Sequence, residues 1–272
     1  MLSPRIVPCL LIRENGLIKT KKFSKAKYVG DPLNAVKIFN ELAVDELLVL
    51  DIDASAKDLS PNEKLISKLA EECRMPLCYG GGVKTVEQIE RLVSLGVEKI
   101  AISSEAIKNP QIIYDSAKKV GSQSVVVVLD IKYQGIISKP RITTLNGKYI
   151  SDINLFEFVK KIEDLGAGEI VINCVDRDGM KNGYDIELIS KIRNISNLIL
   201  TLLGGAGSYE DIEKLVTRVN TVGSAAGSLF VFKGKFDAVL INYLDKTEKE
   251  KLKKIYFNEK NFNIRINRSF RK

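Results

Sequence analysis

Aspartates that end short apolar runs are the residues best suited to acid–base chemistry in this chain. The sequence has 272 residues and no histidine, so proton transfer falls to carboxylates, lysines, tyrosines or cysteines. Asp130 follows the apolar run 125–129, where a carboxylate is costly unless it has a partner or a task. Asp51 and Asp176 end two further runs. Asp130 is therefore the predicted general acid/base.

Two glycine clusters half a chain apart indicate anion binding. They occupy residues 80–82 and 204–207, and Gly81 and Gly205 are 124 residues apart. Glycine after a buried strand and before a helix lets backbone N–H groups approach an anion closely. The next apolar runs end in small residues that complete the two sites: Ser103, Ser104, Gly227 and Ser228. The pattern predicts two phosphate sites, although tight turns alone would also explain the glycines.

A different set of polar residues stands at the starts of apolar runs. It consists of two cations and two anions: Arg5, Glu46, Lys99 and Glu169. If these runs are the strands of one barrel, the four side chains lie at a similar level and can close a ring across its floor. A plain stabilising ion cluster explains the same pattern, and composition alone leaves both interpretations open.

The elements that must position these residues follow an alternating pattern. Eight β-branched runs alternate with stretches of helical period, which predicts an α/β protein, a parallel (β/α)8 TIM barrel. The predicted strands are 5–12, 46–52, 75–79, 99–103, 124–131, 169–174, 198–203 and 220–225, and the last predicted helix is 235–244. Asp51 and Asp176 are 125 residues apart, and Ser104 and Ser228 are 124 apart. This offset predicts an internal duplication of a half-barrel.

Two longer loops follow the first and fifth predicted strands. They span residues 13–30 and 132–150, and the first is rich in lysine. Both emerge at the C-terminal face of the barrel, where barrel enzymes have their active sites. Lids over a substrate and solvated excursions are both compatible with their composition.

The distribution of charge divides the chain into a single barrel domain, residues 1–244, and a basic C-terminal extension, residues 245–272. The net charge is +8, and the extension has ten Lys/Arg against four Asp/Glu, which leaves +2 for the barrel. A solvated tail or contact with an acidic partner explains the extension. No nucleic-acid-binding motif accompanies it, so no nucleic-acid partner is expected.

Other classes of protein are also disfavoured. No apolar run is long enough to span a bilayer and the first residues lack the features of a secretion signal, so we expect a cytoplasmic protein without membrane contact. The four cysteines do not have the spacing of metal ligands, which favours buried free thiols. Neither a metal nor a cofactor is predicted.

Several segments together resemble the cyclase subunit of imidazole glycerol phosphate synthase, the HisF family. They are RIVPCL at 5–10, DEL at 45–47, GGG at 80–82, GSQ at 121–123, DRDG at 176–179 and GGAG at 204–207. The resemblance covers residues 1–240. It implies a lyase-type cyclase in a glutamine amidotransferase complex of histidine biosynthesis. The implied partner is a HisH-like glutaminase subunit on the N-terminal face of the barrel, which supplies ammonia.

The resemblance also implies roles for individual residues. Gly82, Ser103 and Ser104 would bind one phosphate of a phosphorylated small molecule. Lys19 would contact the substrate, and Asp51, Gly81 and Asp178 would complete its binding site. The second phosphate would be bound by Gly179, Gly205, Gly207, Gly227 and Ser228. The charged ring of Arg5, Glu46, Lys99 and Glu169 would gate an ammonia channel through the barrel.

One departure from the family pattern bears on the reaction. The family uses two aspartates, at the ends of strands 1 and 5, and this chain has Leu11 in place of the first. A leucine cannot transfer a proton. With this departure and the segments PCLL at 8–11 and KYVGDP at 27–32, the chain resembles divergent cyclase-like proteins of surface-polysaccharide pathways, including lipopolysaccharide biosynthesis, which work with a sugar amidotransferase that makes acetamidino sugars. Three functions remain open: ammonia delivery for sugar amidination, authentic cyclisation with Asp130 alone, and a non-catalytic scaffold that activates a glutaminase.

Overall fold

The computed structural model describes residues 3–136, 138–219 and 222–269, and its centre is a closed parallel barrel. The barrel strands are β1 (Arg5–Arg13), β2 (Leu47–Asp51), β3 (Leu77–Gly80), β4 (Lys99–Ile102), β5 (Val125–Gln134), β6 (Glu169–Cys174), β7 (Ile199–Leu203) and β8 (Val222–Ala226). Each strand pairs in parallel with the next, and β8 closes the barrel on β1, where Val7 lies opposite Ala225. The predicted (β/α)8 barrel is confirmed.

Two layers of apolar packing hold the barrel together. The outer layer lies between strands and helices, and it includes fully buried side chains such as Phe39 and Ile89. The inner layer fills the barrel with mostly small or β-branched residues, among them Val7, Ala101 and Val126. Side chains alternate between the two faces of a strand, so each barrel strand contributes to both layers.

Helices connect the strands on the outside of the barrel. They are α1 (Pro32–Glu41), α2 (Glu63–Glu72), α3 (Val86–Ser94), α4 (Ser104–Lys108), α5 (Gln111–Val120), α6 (Leu155–Asp164), α7 (Ile186–Arg193), α8 (Tyr209–Val219), α9 (Ser228–Val231) and α10 (Lys246–Ser269). Local sequence sets where they begin. The Thr85 side chain accepts from the backbone N–H of Gln88, whose side chain returns the bond, and this capping box begins α3.

The predicted helix at 235–244 is wrong. After α9 the chain forms a short hairpin, in which the strands Phe232–Lys233 and Ala238–Val239 pair. Gly234 and Asp237 adopt positive φ angles of 75° and 51°, which turn the chain back on itself. Phe236, Val239 and Leu240 are exposed, whereas Leu244 is buried in the core, so the apolar residues of this segment do not form one buried helical face. The predicted strand 220–225 begins at Val222, and residues 220 and 221 lie outside the described residues.

The two predicted loops are β-hairpins that prolong the barrel strands. The first hairpin, residues 16–30, consists of the strands Gly16–Lys21 and Ser24–Gly30, and its first strand pairs antiparallel with β1. In the other half of the barrel, the strand Lys139–Thr144 pairs antiparallel with β5 and with the strand Tyr149–Ile150. Both hairpins therefore occupy equivalent positions, in keeping with the half-barrel offset in the sequence.

The basic extension begins as helix α10, and its first turns pack against the barrel. Leu252 and Tyr256 are fully buried. The Lys249 ammonium lies 2.7 Å from the Asp45 carboxylate, and Tyr209 donates a 3.3 Å hydrogen bond to the carbonyl of Glu248. The position of the domain boundary at residue 244 stays a prediction. Within the described ranges, no helix has both the length and the apolar character that crossing a membrane requires.

Candidate functional site

A cavity of about 300 Å³ opens at the C-terminal ends of the barrel strands. It brings together nearly all the residues that the sequence singles out: Lys19, Asp51, Gly81, Gly82, Ser103, Ser104, Asp130, Asp178, Gly179, Gly205, Gly227 and Ser228. Gly207 is the exception. It does not line the cavity, and its backbone N–H donates to the Asp211 carboxylate at 2.9 Å. The C-terminal face is where barrel enzymes have their active sites.

Asp130 is the ionisable group whose setting best suits proton transfer. It ends the apolar part of β5 opposite Asn173 of β6, and the Asn173 amide donates a 2.8 Å hydrogen bond to the carboxyl group. Desolvation raises the pKa of Asp130 to about 7, although the hydrogen bond from Asn173 opposes this rise. A carboxyl group with a pKa near neutrality can act as an acid or a base.

The rest of the floor of this cavity is apolar. Leu11 lies beside Leu50 in the β1–β2 register, and Val128 and Leu203 line the cavity with them. We call these four residues the apolar floor. None of them can donate, accept or transfer a proton. Asp130 therefore faces aliphatic side chains across the cavity floor, and its one side-chain hydrogen bond comes from Asn173.

Lys19 brings a positive charge to one side of the cavity. It lies on the first hairpin, its side chain is buried, and its ammonium donates to the backbone carbonyl of Cys9. Burial lowers the pKa of Lys19. A Cβ atom at position 227 would collide with the Lys19 ammonium, so glycine there leaves room for the cation. A cation beside the Gly227–Ser228 turn favours an anionic ligand.

The two glycine clusters both form tight turns. Gly81 and Gly82 have φ angles of 131° and 71°, and Gly204 and Gly205 have 94° and 109°. These are conformations that side chains rarely adopt. A Cβ atom at Gly82 would lie 2.5 Å from the carbonyl oxygen of Leu59, so close packing also excludes other residues. The backbone N–H of Gly82 donates a 3.4 Å hydrogen bond to the Ser55 hydroxyl, and anion binding by the two turns stays a prediction.

Two predicted binding residues, Asp178 and Asp51, also organise the loops around the cavity. Asp178 accepts hydrogen bonds from the Thr20 hydroxyl at 2.6 Å and the Phe23 backbone N–H at 3.2 Å, which tie the first hairpin down. Asp51 accepts from the backbone N–H groups of residues 53 and 54, both at 3.1 Å. Burial raises the pKa of Asp51. The carboxylates of both residues thus make bonds within the protein.

Residues that the sequence did not single out cover the mouth of the cavity. Phe23 from the first hairpin and Leu145 and Asn146 from the second line it. The Asn146 side chain donates a 2.8 Å hydrogen bond to the carbonyl of Ile52, which fixes the second hairpin to the end of β2. The Asn146-Gly147 pair is typical of a turn, but the sequence does not show that the Asn146 side chain bonds to Ile52.

The four charged residues at the strand starts form a closed ring. Arg5 lies 2.6 Å from Glu46 and 2.8 Å from Glu169, and Lys99 lies 2.8 Å from Glu46 and 2.9 Å from Glu169. Burial alone would lower the pKa of Lys99, but the two carboxylates outweigh it and raise that pKa. The role of the ring as a gate for ammonia stays a prediction.

Thr201 is a fifth member that the sequence did not indicate. Its hydroxyl donates to Glu169 at 2.5 Å and accepts from Arg5 at 3.4 Å. A Cβ atom at Gly223 would collide with this hydroxyl, so glycine makes room for the ring on β8. All four carboxylate oxygens of the ring thereby have partners, which is the condition for keeping buried charges.

Comparison with known proteins agrees with this arrangement. The sequence profile described as histidine biosynthesis protein matches residues 5–237 of the chain, which include all eight barrel strands. The chain belongs to this family.

The relatives within the family are HisF proteins. A Vibrio vulnificus protein with the provisional name imidazole glycerol phosphate synthase subunit hisF3 is 56% identical, over 92% of this chain and 96% of the relative. A Pseudomonas aeruginosa relative, provisionally named subunit hisF2, is 46% identical over 90% and 97%. Subunit HisF of Natranaerobius thermophilus is 36% identical over 90% and 96%. This chain is a divergent HisF-family subunit.

Proposed function

We propose that the chain is the HisF-like subunit of a glutamine-dependent amidotransferase that delivers ammonia for amidination of a surface-polysaccharide sugar. In this proposal a HisH-like glutaminase docks on the N-terminal face and releases ammonia into the barrel. The ammonia leaves at the cavity and is consumed by a sugar amidotransferase. The proposal places the complex in the cytoplasm, and the free thiols of the four cysteines suit a reducing compartment.

The observation that carries this proposal is Leu11 on the cavity floor. The glycine turns predicted to bind anions, Lys19 and the charged ring agree with what the HisF resemblance implies, whereas the acid–base pair of the family is reduced to Asp130. Cyclisation by the family reaction uses a carboxylate at each of two positions. Here one of them is an aliphatic residue beside Leu50 and Leu203.

The interior of the barrel supports passage of neutral ammonia. Above the ring, the inner layer consists of side chains such as Val7, Val126 and Val171, which offer no hydrogen-bond partners. Such surroundings strongly favour an uncharged molecule over an ion. The ring at the floor is the charged barrier that ammonia meets first, and opening it would require Lys99 or Arg5 to leave its carboxylate partners.

A second candidate function is authentic cyclisation, as the names of the relatives suggest. It is favoured by Asp130, because a single carboxyl group with a pKa of about 7 can donate a proton in one step and accept one in another. On this alternative the cavity would bind the family's bis-phosphorylated aminoimidazole precursor and close its imidazole ring.

The experiment that separates the two candidates measures cyclisation of that precursor with ammonium as the nitrogen source. We expect turnover by the unmodified protein to lie near background, and Leu11→Asp to raise it by about 100-fold or more, the scale of one acid–base catalyst. Leu50→Asp, which puts a carboxylate on the neighbouring strand, is the matched control. Rapid cyclisation by the unmodified protein would reject amidination as the main function.

A further inference from the structure

Two hairpins beside the cavity mouth form one continuous surface. The first hairpin, residues 16–30, meets the last hairpin, residues 232–240, through side-chain contacts. The Lys27 ammonium donates a 2.8 Å hydrogen bond to the carbonyl of Asp237 and lies 4.9 Å from the ring centroid of Phe232. The Lys21 ammonium is 3.8 Å from the Asp237 carboxylate. We call the joint surface of residues 21–28 and 232–240 the basic rim.

The basic rim concentrates positive charge at the mouth. Its exposed lysines are Lys21, Lys22, Lys25, Lys27, Lys233 and Lys235, and its one acidic residue is Asp237. Residues 21–28 and 232–240 together carry a net charge of +5, six lysines against one aspartate, whereas residues 1–244 as a whole carry +2. The remainder of the barrel sequence is therefore net negative by three charges. Such a one-sided distribution steers acidic partners to the mouth.

The basic rim also exposes large apolar side chains. Tyr28 is 67% exposed, Phe236 is 89% exposed, and Val239 and Leu240 are 45% and 51% exposed. Val239 is paired with Phe232, which lies under Lys27, so the apolar and basic groups are neighbours. Phe236, Val239 and Leu240 lie within five residues on the last hairpin, and grouped exposed apolar side chains mark protein interfaces, where aromatic residues supply much of the binding energy.

The surroundings of these lysines favour a protein over a small anion. None of the six lysines lines the 300 Å³ cavity, whereas Lys19 on the same hairpin does. A small ligand would require a concave site. A second copy of this chain would bring two surfaces of the same charge together, which is unfavourable. An acidic protein surface complements both the charge and the apolar groups.

We propose that the basic rim is the docking surface for an acidic face of the enzyme that consumes the ammonia. This rests on the proposed function, in which ammonia leaves the barrel at this mouth. Ammonia that escapes into neutral water gains a proton and ceases to be a nucleophile, so the consuming enzyme gains by covering the exit. The first hairpin joins the cavity to the basic rim, since it carries both Lys19, which lines the cavity, and residues 21–28 of the rim.

The test replaces Tyr28 and, separately, Phe236 with the photo-cross-linking residue p-benzoylphenylalanine in the full-length protein in its native host. Tyr114 on α5, 38% exposed and far from the rim in sequence, is the control site. The expected result is an adduct from both rim positions and not from position 114. Mass spectrometry is expected to identify the adduct as an acidic protein that, once purified, amidates a sugar with ammonia.

Charge reversal then tests whether the positive charge of the basic rim contributes to binding of the partner enzyme. Lys22→Glu with Lys25→Glu is expected to weaken binding of the identified enzyme by about tenfold or more at low salt, with the loss mainly in the association rate. The matched control is Lys64→Glu with Lys68→Glu on α2, two exposed lysines with the same total change of charge. It is expected to retain binding. Unchanged thermal unfolding midpoints check that all four substitutions leave the fold intact.

The proposal is overturned if position 114 gives the same adducts as the rim positions. It is also overturned if the rim adducts contain a second copy of this chain, lipid or nucleic acid, or if they persist at full strength after charge reversal. These outcomes are distinct from failure of the proposed function. Sugar amidination from glutamine without any rim adduct would reject the docking surface alone. An adduct with an enzyme that never receives nitrogen from glutamine would reject the proposed function and the identity of the partner with it.

Discussion

Asp130 lies buried in a cavity lined by Leu11, Val128 and Leu203 and accepts a side-chain hydrogen bond from Asn173, and its burial has a measurable cost. Its pKa of about 7 is well above the 3.8 of a free aspartate, so the folded protein binds a proton there that the unfolded chain has lost. Folding stability therefore falls as the pH rises from about 4 to about 7. At 1.36 kcal/mol per pKa unit, the cost at and above neutral pH is at most about 4 kcal/mol.

Asp130→Asn removes this cost, so we predict that it stabilises the protein more at pH 8 than at pH 5. Urea unfolding at the two pH values measures the difference. Asp58→Asn is the control, because Lys84 lowers the pKa of Asp58, and its loss should be mildly destabilising instead. Equal effects of Asp130→Asn at both pH values would contradict a raised pKa.

Asn173 is the residue that limits this rise. Its hydrogen bond to Asp130 favours the charged carboxylate, so Asn173→Ala is expected to move the pKa of Asp130 above its present value. Carboxyl-carbon NMR titration follows the change directly. Asn146→Ala, which alters the cavity lining without touching Asp130, is the control. A midpoint that stays or falls in Asn173→Ala would show that the hydrogen bond does not set the pKa.

At the scale of elements, two carboxylates in the loop after β6 fix the two hairpins, one carboxylate for each hairpin. Asp178 accepts hydrogen bonds from Thr20 and Phe23 of the first hairpin, and Asp176 accepts a 2.8 Å bond from the backbone N–H of Tyr133 at the base of the second. The two aspartates belong to the same DRDG segment. One short loop thereby positions both covers of the cavity.

We predict that Asp178→Ala increases amide hydrogen exchange in residues 16–30 and leaves residues 138–150 nearly unchanged. Asp176→Ala is expected to give the reverse pattern, so each variant controls for the other. The reason is that each loses hydrogen bonds to one hairpin only. Equal increases in both hairpins, in either variant, would argue that the loop acts as a single unit.

These hairpins also show where the sequence was informative and where it was not. The alternation of strands and helices and the half-barrel offset are visible in the sequence, and they predicted the barrel. The pairing of residues 16–21 with β1 depends on contacts made after the chain turns back, and residue types alone read as a loop. Residues 235–244 were predicted as a helix from the spacing of their apolar residues, but the first part of this segment pairs as a hairpin and only its end, at Leu244, is buried in the core.

The site shows the same division. Asp130, the glycine turns and the charged ring could be predicted because each is a polar or glycine residue at a strand end. Thr201 and Asn173 could not be assigned partners, because their contacts depend on the register between neighbouring strands. Asp178 lines the cavity as expected, but its carboxylate is bonded to the first hairpin.

Helix α10 forms nearly all of the described part of the basic extension. If its first turns are part of the folded barrel, Leu252→Ala is expected to lower the free energy of unfolding by about 2–5 kcal/mol, the usual cost of removing a buried leucine side chain. Chemical denaturation measures this. Glu250→Ala on the exposed side of the same helix should change stability by less than about 0.5 kcal/mol. A Leu252→Ala effect of that small size would mean that the helix is detached in solution.

At the scale of the whole molecule, the charged ring, the apolar inner layer and the cavity predicted to bind anions follow one another from the strand starts to the strand ends. The ring of Arg5, Glu46, Lys99 and Glu169 lies at the strand starts, and Asp130 and Leu11 lie near the strand ends. Between them the inner layer is apolar. In the proposed function, Leu11 in place of the family's first aspartate is what distinguishes the exit of this barrel from the active site of a cyclase.

The most direct test of the central claim uses glutamine labelled with heavy nitrogen in its amide group. The unmodified protein, its glutaminase partner and the sugar amidotransferase are mixed with an acetamido sugar and an excess of unlabelled ammonium. Transfer through the barrel predicts that the amidino product carries the label, with little dilution by the free ammonium. A product whose labelling equals that of the bulk ammonium would contradict the account.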